Sequence, residues 1–84
     1  MAQKKEPAKR IRLGRIKATI WPNQTPKGEV WFNVEIVRIY KEENDWQEST
    51  KFSRDDLPIV SKVSDMAYAW IWEQEAPAPA EVDD

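Results

Sequence analysis

Apolar residues occupy alternate positions over residues 16–20, which is the period of a β-strand. Ile11 and Leu13 are apolar as well, but they have the opposite parity. Gly14 lies at this change of phase, and a one-residue β-bulge there would bring all of these apolar side chains to one face. The pattern predicts a first strand over residues 11–21 with a bulge at Gly14, unless Gly14 divides that segment into two strands.

A second, longer strand is predicted over residues 29–41, after a turn rich in Pro, Asn and Gly at residues 22–28. Its apolar residues keep one phase up to Ile36 and take the other phase at Val37 and Ile39. A second bulge at Ile36 and Val37 would again gather them on the core side. Two bulges in facing strands predict a strongly bent sheet.

The rest of the chain predicts a short strand and then a helix. Residues 46–52 form a third, more polar strand after a hairpin turn at residues 42–45. Ser53 followed three residues later by Asp56 is typical of a helix start, and the helix extends to about Gln74 before the Pro-rich end of the chain. The predicted fold class is α+β, a bent antiparallel β-meander of three to four strands followed by one C-terminal amphipathic helix.

Apolar side chains cover an unusually wide part of the predicted helix, roughly 240° of its circumference at about 100° per residue. A main arc suits packing on the sheet, and it contains Ile59, Val60, Val63, Met66, Ala67, Trp70 and Ile71. Leu57, Tyr68 and Trp72 flank that arc, and we predict that they form a homodimer interface with the same helix of a second subunit. The alternative is that Tyr68 and Trp72 cover the edge of the core in a monomer.

Both ends of the chain differ in composition from the middle. Residues 1–10 are charged with almost no large apolar side chains, and residues 75–84 are a Pro-Ala segment with an acidic end. We predict a disordered basic arm and a disordered acidic tail around a single domain at residues 11–74. The arm suits contact with an anionic polymer and the tail competes for the same surface, although both are also explained as solubilising segments. A core of about 60 residues is marginal alone, which favours oligomerisation.

Composition excludes several kinds of chemistry. The chain contains no Cys and no His, so disulfides, thiolate catalysis and the commonest general base are missing. Asp55 and Asp56 are adjacent carboxylates, but a helix start explains both. We therefore predict no enzymatic activity, no metal and no cofactor. The chain also lacks the apolar runs of a signal peptide or a membrane span, so we expect a cytoplasmic protein.

Tryptophan is the most informative residue type, with five copies in 84 residues. Trp70 belongs to the main arc of the helix, whereas Trp21 and Trp31 fall outside the core pattern. With both bulges, the outer face of the sheet carries a set of aromatic and basic residues: Arg15, Lys17, Trp21, Trp31, Arg38 and Tyr40. Bases of single-stranded nucleic acid stack on such rings while cations contact phosphates. The alternatives are a protein-interaction surface and an aromatic pair that only stabilises the hairpin, and Glu35 and Glu48 dilute the positive charge.

Three segments resemble a group of short, uncharacterised bacterial proteins: GRIKATIW at residues 14–21, RIYK at residues 38–41 and FSRDDL at residues 52–57. This resemblance covers most of the predicted core and implies no function. The order of elements also resembles the single-stranded DNA-binding domain of the transcriptional coactivator positive cofactor four and its bacterial relatives. The matching features are the strand ending in RIY, the segment through Lys51 into the helix, and the wide apolar helix face. That resemblance implies a curved sheet that binds single strands, with Lys51 joining the six residues above, and a helix that pairs in a homodimer.

The chain departs from that second family at three points. It has three clear strands instead of four unless Gly14 divides the first, Phe52 and Ser53 replace the glycine expected before the helix, and the core is acidic overall. We predict a non-enzymatic, coactivator-like homodimer whose curved sheet binds single-stranded DNA or RNA with little sequence preference. The alternative prediction is a protein-interaction module, or adaptor, that uses the same Trp and Tyr surface.

Overall fold

The computed structural model describes residues 6–75, which form a four-stranded antiparallel sheet followed by one α-helix. The strands lie in chain order across the sheet: β1 (Lys9–Leu13), β2 (Ile16–Gln24), β3 (Val30–Glu42) and β4 (Asp45–Ser49). A short 3₁₀ turn, Arg54–Asp56, leads directly into α1 (Leu57–Glu75). The predicted α+β fold class is confirmed. Residues 1–5 and 76–84, where most of the basic arm and the acidic tail were predicted, lie outside the described residues.

The predicted bulge at Gly14 is wrong, because Gly14 and Arg15 form a two-residue turn between β1 and β2. Gly14 has a φ of +60°, and a positive φ at the first central position is typical of a type II′ hairpin turn. Leu13 pairs with Ile16 across this turn, so residues three apart in sequence share a face. The change of parity therefore marks a reversal of the chain, as the alternative reading at Gly14 had it.

The second predicted bulge is also wrong. The register between β2 and β3 runs without interruption from Ile16 opposite Arg38 to Gln24 opposite Val30. Val37 therefore lies on the face opposite to that of its neighbours in sequence. It is only 5% exposed, yet it does not belong to the core cluster beneath the helix. The change of apolar phase in β3 arises because both faces of the sheet bury side chains at this point.

One face of the sheet, here called the inner face, carries α1, and the other is called the outer face. The buried core of the inner face consists of Ile11, Ile16, Ala18, Ile20, Val63 and Ala67. Phe32 extends this core towards the helix end, where its ring meets that of Trp70 edge-on with centroids 5.6 Å apart. The molecule is 15 Å thick along its shortest axis, which corresponds to one helix layer on one sheet layer. So small a core leaves the outer face available for other contacts.

The boundaries of the domain differ slightly from those predicted. β1 begins at Lys9, so Lys9 and Arg10 belong to the sheet and not to the basic arm. The helix ends at Glu75, one residue after the predicted domain end at residue 74. Among residues 6–75, no helix combines the length and the apolar content that crossing a membrane requires.

β3 extends well beyond β4 and has a partly open edge. β4 pairs only from Arg38 to Glu42 of β3, and no described strand pairs with this edge of β3 from Val30 to Val37. The N–H of Ile39 donates to the carbonyl of Arg15 on the β2 side at 2.8 Å. In an antiparallel strand, the backbone N–H and C=O groups of successive residues point alternately to the two neighbouring strands. Between Val30 and Val37, the N–H and C=O groups of the even-numbered residues therefore point to the open edge.

Candidate nucleic-acid interface

The outer face gathers aromatic and basic side chains from all four strands. Directly paired residues share a face, so Arg12 opposite Lys17, and Lys41 opposite Trp46, project to the same side of the sheet. The register places seven aromatic and basic residues on this outer face: Arg10, Arg12, Lys17, Trp21, Trp31, Lys41 and Trp46. These seven residues are called the outer-face set below.

The tryptophans of the outer-face set lie towards its two ends. Trp31 is 46% exposed and Trp46 is 64% exposed, while Trp21 is half-buried. Trp21 pairs with Asn33, so it is a diagonal neighbour of Trp31 on the adjoining strand. At the far end, the Nζ of Lys41 lies 5.7 Å from the ring centroid of Trp46. Trp31 and Lys41 are ten positions apart in β3, or about 33 Å along the strand.

Basic side chains occupy the surface between the aromatic ends. Arg10 and Arg12 are exposed, and Lys17 is half-buried and forms an ion pair with Glu48 at 3.0 Å. A depression of about 250 Å³ lies here, lined by Arg12, Lys17, Ile39, Trp46, Gln47 and Glu48. The outer face has four basic residues against two acidic ones, Glu35 and Glu48, whereas the whole chain has a net charge of −2. The outer face is therefore positive on a molecule that is negative overall.

The structure divides the predicted binding residues between two places. Lys17, Trp21 and Trp31 lie on the outer face as predicted. Arg38 and Tyr40 do not, because β3 has no bulge and Arg38 pairs with Ile16 on the inner side. The remaining two also leave the outer face, since Arg15 lies in the β1–β2 turn and Lys51 in the link from β4 to the helix. The prediction that Arg15, Arg38 and Tyr40 share the outer face with the other three is therefore wrong, and Lys51, which the family resemblance implied, lies away from that face too.

Arg15 joins the first hairpin to the start of the helix. Its Nε and one terminal nitrogen donate to the two carboxylate oxygens of Asp56 at 2.9 and 3.1 Å. Asp56 is buried and also accepts hydrogen bonds from the N–H and the hydroxyl of Ser53, both at 2.9 Å. The hydrogen bond from Arg15 has the largest effect, and together with those from Ser53 it lowers the pKa of Asp56 to about 2. Asp56 is thus a structural carboxylate, as the predicted helix start required.

The three predicted dimer residues are all on the surface of α1. Tyr68 is 62% exposed and Trp72 is 55% exposed, and their rings contact each other edge-on with centroids 6.2 Å apart. Leu57 is exposed too, and at about 100° per residue the three side chains fall within an arc of about 60°. Tyr68 and Trp72 leave most of their surface in solvent, which does not fit the alternative that they cover the core edge.

Sequence reasoning missed Lys41 and Trp46 as site residues. Trp46 lies in a segment that was interpreted only as a polar strand, and Lys41 precedes the turn into it. A two-residue turn at Glu43 and Asn44 pairs Lys41 with Trp46, and this spacing was the available signal. Arg10 and Arg12 were missed as site residues as well, and their alternation with the inward-facing Ile11 and Leu13 was the available signal.

Comparison of the chain with protein-family models, with curated proteins and with solved structures found no match in any of the three.

Proposed function

We propose that this protein is a non-enzymatic binding protein that holds single-stranded DNA or RNA on the outer face of its sheet, with little sequence preference. The observation that carries this proposal is the outer-face set, in which three tryptophan rings and four cations share the helix-free side of the sheet. Each base stacked on an aromatic ring contributes about 1–3 kcal/mol, and every base offers a flat surface for stacking. The cations between the rings suit the phosphates of the same strand.

The order of residues along the outer face defines a path for the strand. Trp21 and Trp31 stack bases at one end and Trp46 stacks a base at the other, while Arg12 and Lys17 contact phosphates between them. The span of about 33 Å suits several nucleotides, which is comparable with the range of about 4–16 nucleotides that OB-fold domains bind. A cytoplasmic location, where single-stranded nucleic acid is accessible, is part of this proposal.

A protein-interaction module is the second candidate function. The open edge of β3 favours it, because Val30 and Val34 are exposed on the inner side of this edge and Trp31 on its outer side, and such an edge accepts an added strand. The two functions respond differently to salt. Phosphate contacts release counterions, so the affinity for nucleic acid falls steeply as salt rises, whereas an aromatic protein interface is much less sensitive.

The test is a titration with oligo-dT at low and moderate salt, followed by tryptophan fluorescence. We expect Trp31→Ala to weaken binding by about 1–3 kcal/mol at both salt concentrations, because stacking is lost. Trp31→Phe is the matched control, since it keeps an aromatic ring and should retain most of the affinity. Lys62→Ala, an exposed cation on α1, controls for charge. A folded wild type that ignores the oligonucleotide at low salt would exclude this function and favour the protein-interaction module.

We also propose that the protein is a homodimer joined through Leu57, Tyr68 and Trp72. The support is that these exposed apolar side chains form one arc of a helix whose other side already covers a small core. A second copy of the same arc would bury them with its own apolar residues, as a two-fold interface requires. In that arrangement the two outer faces stay uncovered.

A further inference from the structure

Three of the predicted binding residues that do not lie on the outer face come together on the other side of the sheet. Arg15, Arg38 and Lys51 line an open depression of about 400 Å³ together with Phe52 and Ser53. We propose that this depression, called the cationic depression below, is a binding site for a phosphate group. The site is separate from the outer face and does not depend on the proposed function.

Arg15 is held in place with donors to spare. Its Nε and one terminal nitrogen are engaged by Asp56, and that same terminal nitrogen lies 3.3 Å from the hydroxyl of Ser53. The second terminal nitrogen makes no hydrogen bond to any residue from 6 to 75, and the side chain is half exposed. Arg15 therefore meets a ligand in a geometry that the protein has already fixed, which lowers the entropy cost of binding.

Arg38 is fixed in a similar way. Its guanidinium lies 5.3 Å from the ring centroid of Tyr40, and its Nε donates to the carbonyl of Lys51 at 3.0 Å. Its two terminal nitrogens have no hydrogen-bond partner in the described part of the chain, so they are available as a planar fork of donors. A guanidinium fork of this kind matches the oxygens of a phosphate.

The charge of the cationic depression is positive after its internal ion pair is counted. Three cations line it, and within residues 6–75 Asp56 is the one carboxylate that forms an ion pair with any of them, through Arg15. Both oxygens of Asp56 are already occupied by Arg15 and Ser53. The ammonium of Lys51 makes no ion pair with the described residues and adds a mobile point charge. The doubly charged phosphate monoester suits this surplus better than the singly charged diester of a chain interior.

The test is a titration of the wild-type protein with inorganic phosphate at constant ionic strength, observed through backbone amide shifts in NMR spectra. We expect saturable shifts around Arg15, Arg38 and Lys51, and none when chloride replaces phosphate. Lys51→Gln and Arg38→Gln should each weaken binding about ten-fold, because each removes a charge-assisted contact. Lys62→Gln, which removes an exposed cation elsewhere, should bind phosphate as the wild type does.

Oligo-dT with a 5′-phosphate or a 5′-hydroxyl distinguishes a strand end from free phosphate as the source. If the wild type binds the 5′-phosphorylated oligonucleotide more tightly than the 5′-hydroxyl form, and Lys51→Gln loses this preference, the site binds strand ends. If the wild type binds the two oligonucleotides equally, the site binds free phosphate. Wild-type phosphate affinity in folded Lys51→Gln and Arg38→Gln, or shifts spread over the surface, would overturn the proposal. Because Trp31→Ala changes only the outer face, phosphate binding should survive in that variant whatever becomes of oligonucleotide binding.

Discussion

Lys17 forms an ion pair with Glu48 and is also one of the proposed phosphate contacts. Its ammonium pairs with Glu48 at 3.0 Å across β3, and the same ammonium is in the path proposed for the phosphates. An exposed ion pair of this kind contributes only about 0–1 kcal/mol to folding, so it is readily exchanged for a stronger anion. We therefore expect Glu48 to limit the affinity of the proposed interface without holding the fold together.

Glu48→Gln is predicted to strengthen oligonucleotide binding about two- to three-fold at low salt, because it removes a competing anion and frees Lys17. The dependence of affinity on salt should become steeper by about one phosphate contact. Fluorescence titrations over a series of salt concentrations measure both effects. Asp65→Gln removes a carboxylate from an exposed site on α1 and serves as the control. Weaker binding by Glu48→Gln would show that the carboxylate contacts the ligand favourably.

Asp56 should make the stability of the fold depend on pH in the acid range. Its pKa is lowered to about 2 in the folded state, chiefly by Arg15 and then by Ser53, so its stabilising contribution is complete above its ordinary pKa. That contribution is lost as the pH falls from about 4 to about 2. Urea unfolding at several pH values should show this loss in the wild type and a much weaker loss in Asp56→Asn. Asp55→Asn, at an exposed neighbour, should retain the wild-type profile.

At the scale of single elements, the two apolar phase changes show what the pattern can and cannot predict. The helix and most of β2 and β3 followed from periodicity, and the helix start followed from Ser53 and Asp56, whereas β1 was separated from β2 only in the alternative at Gly14. A bulge and a two-residue turn at Gly14 both change the apolar positions from odd-numbered to even-numbered residues. The pattern alone therefore does not distinguish them. In β3 the change of phase reflects neither a bulge nor a turn. It arises because Val37 is buried on the outer face, beside Lys17. Burial on both faces depends on neighbouring strands, which the order of residues in β3 alone does not reveal.

The β3–β4 turn contains a residue that is poorly suited to its backbone conformation. Glu43 has a φ of 55°, where glycine is favoured, whereas its neighbour Asn44 has no positive φ. Glu43→Gly is predicted to raise the free energy of unfolding by about 0.5–1 kcal/mol, because relief of the left-handed strain exceeds the added freedom of the unfolded chain. Asn44→Gly gains no such relief and should lower stability. Chemical denaturation compares the two, and a less stable Glu43→Gly would mean that the turn differs in solution.

At the scale of the whole molecule, we expect the thin core to link folding to association. Light scattering should give about twice the chain mass for the wild type, and the melting temperature should rise with protein concentration, as mass action requires of a dimer. Trp72→Glu should give a monomer, because it places a charge in an apolar interface. Lys62→Glu, a charge change elsewhere on α1, should leave the mass unchanged. A wild-type monomer at high micromolar concentration would contradict the dimer.

The open edge of β3 has a consequence for the exchange of amide hydrogens with solvent. The N–H groups of Trp31 and Asn33 point to β2, whereas those of Phe32 and Val34 have no partner among residues 6–75. Hydrogen exchange should therefore alternate along this one strand, slow at the odd positions and fast at the even ones. Deuterium uptake resolved by residue would measure it. If Phe32 and Val34 exchange as slowly as their neighbours, another strand covers this edge in solution, and loss of their protection on dilution would identify that strand as belonging to a second copy.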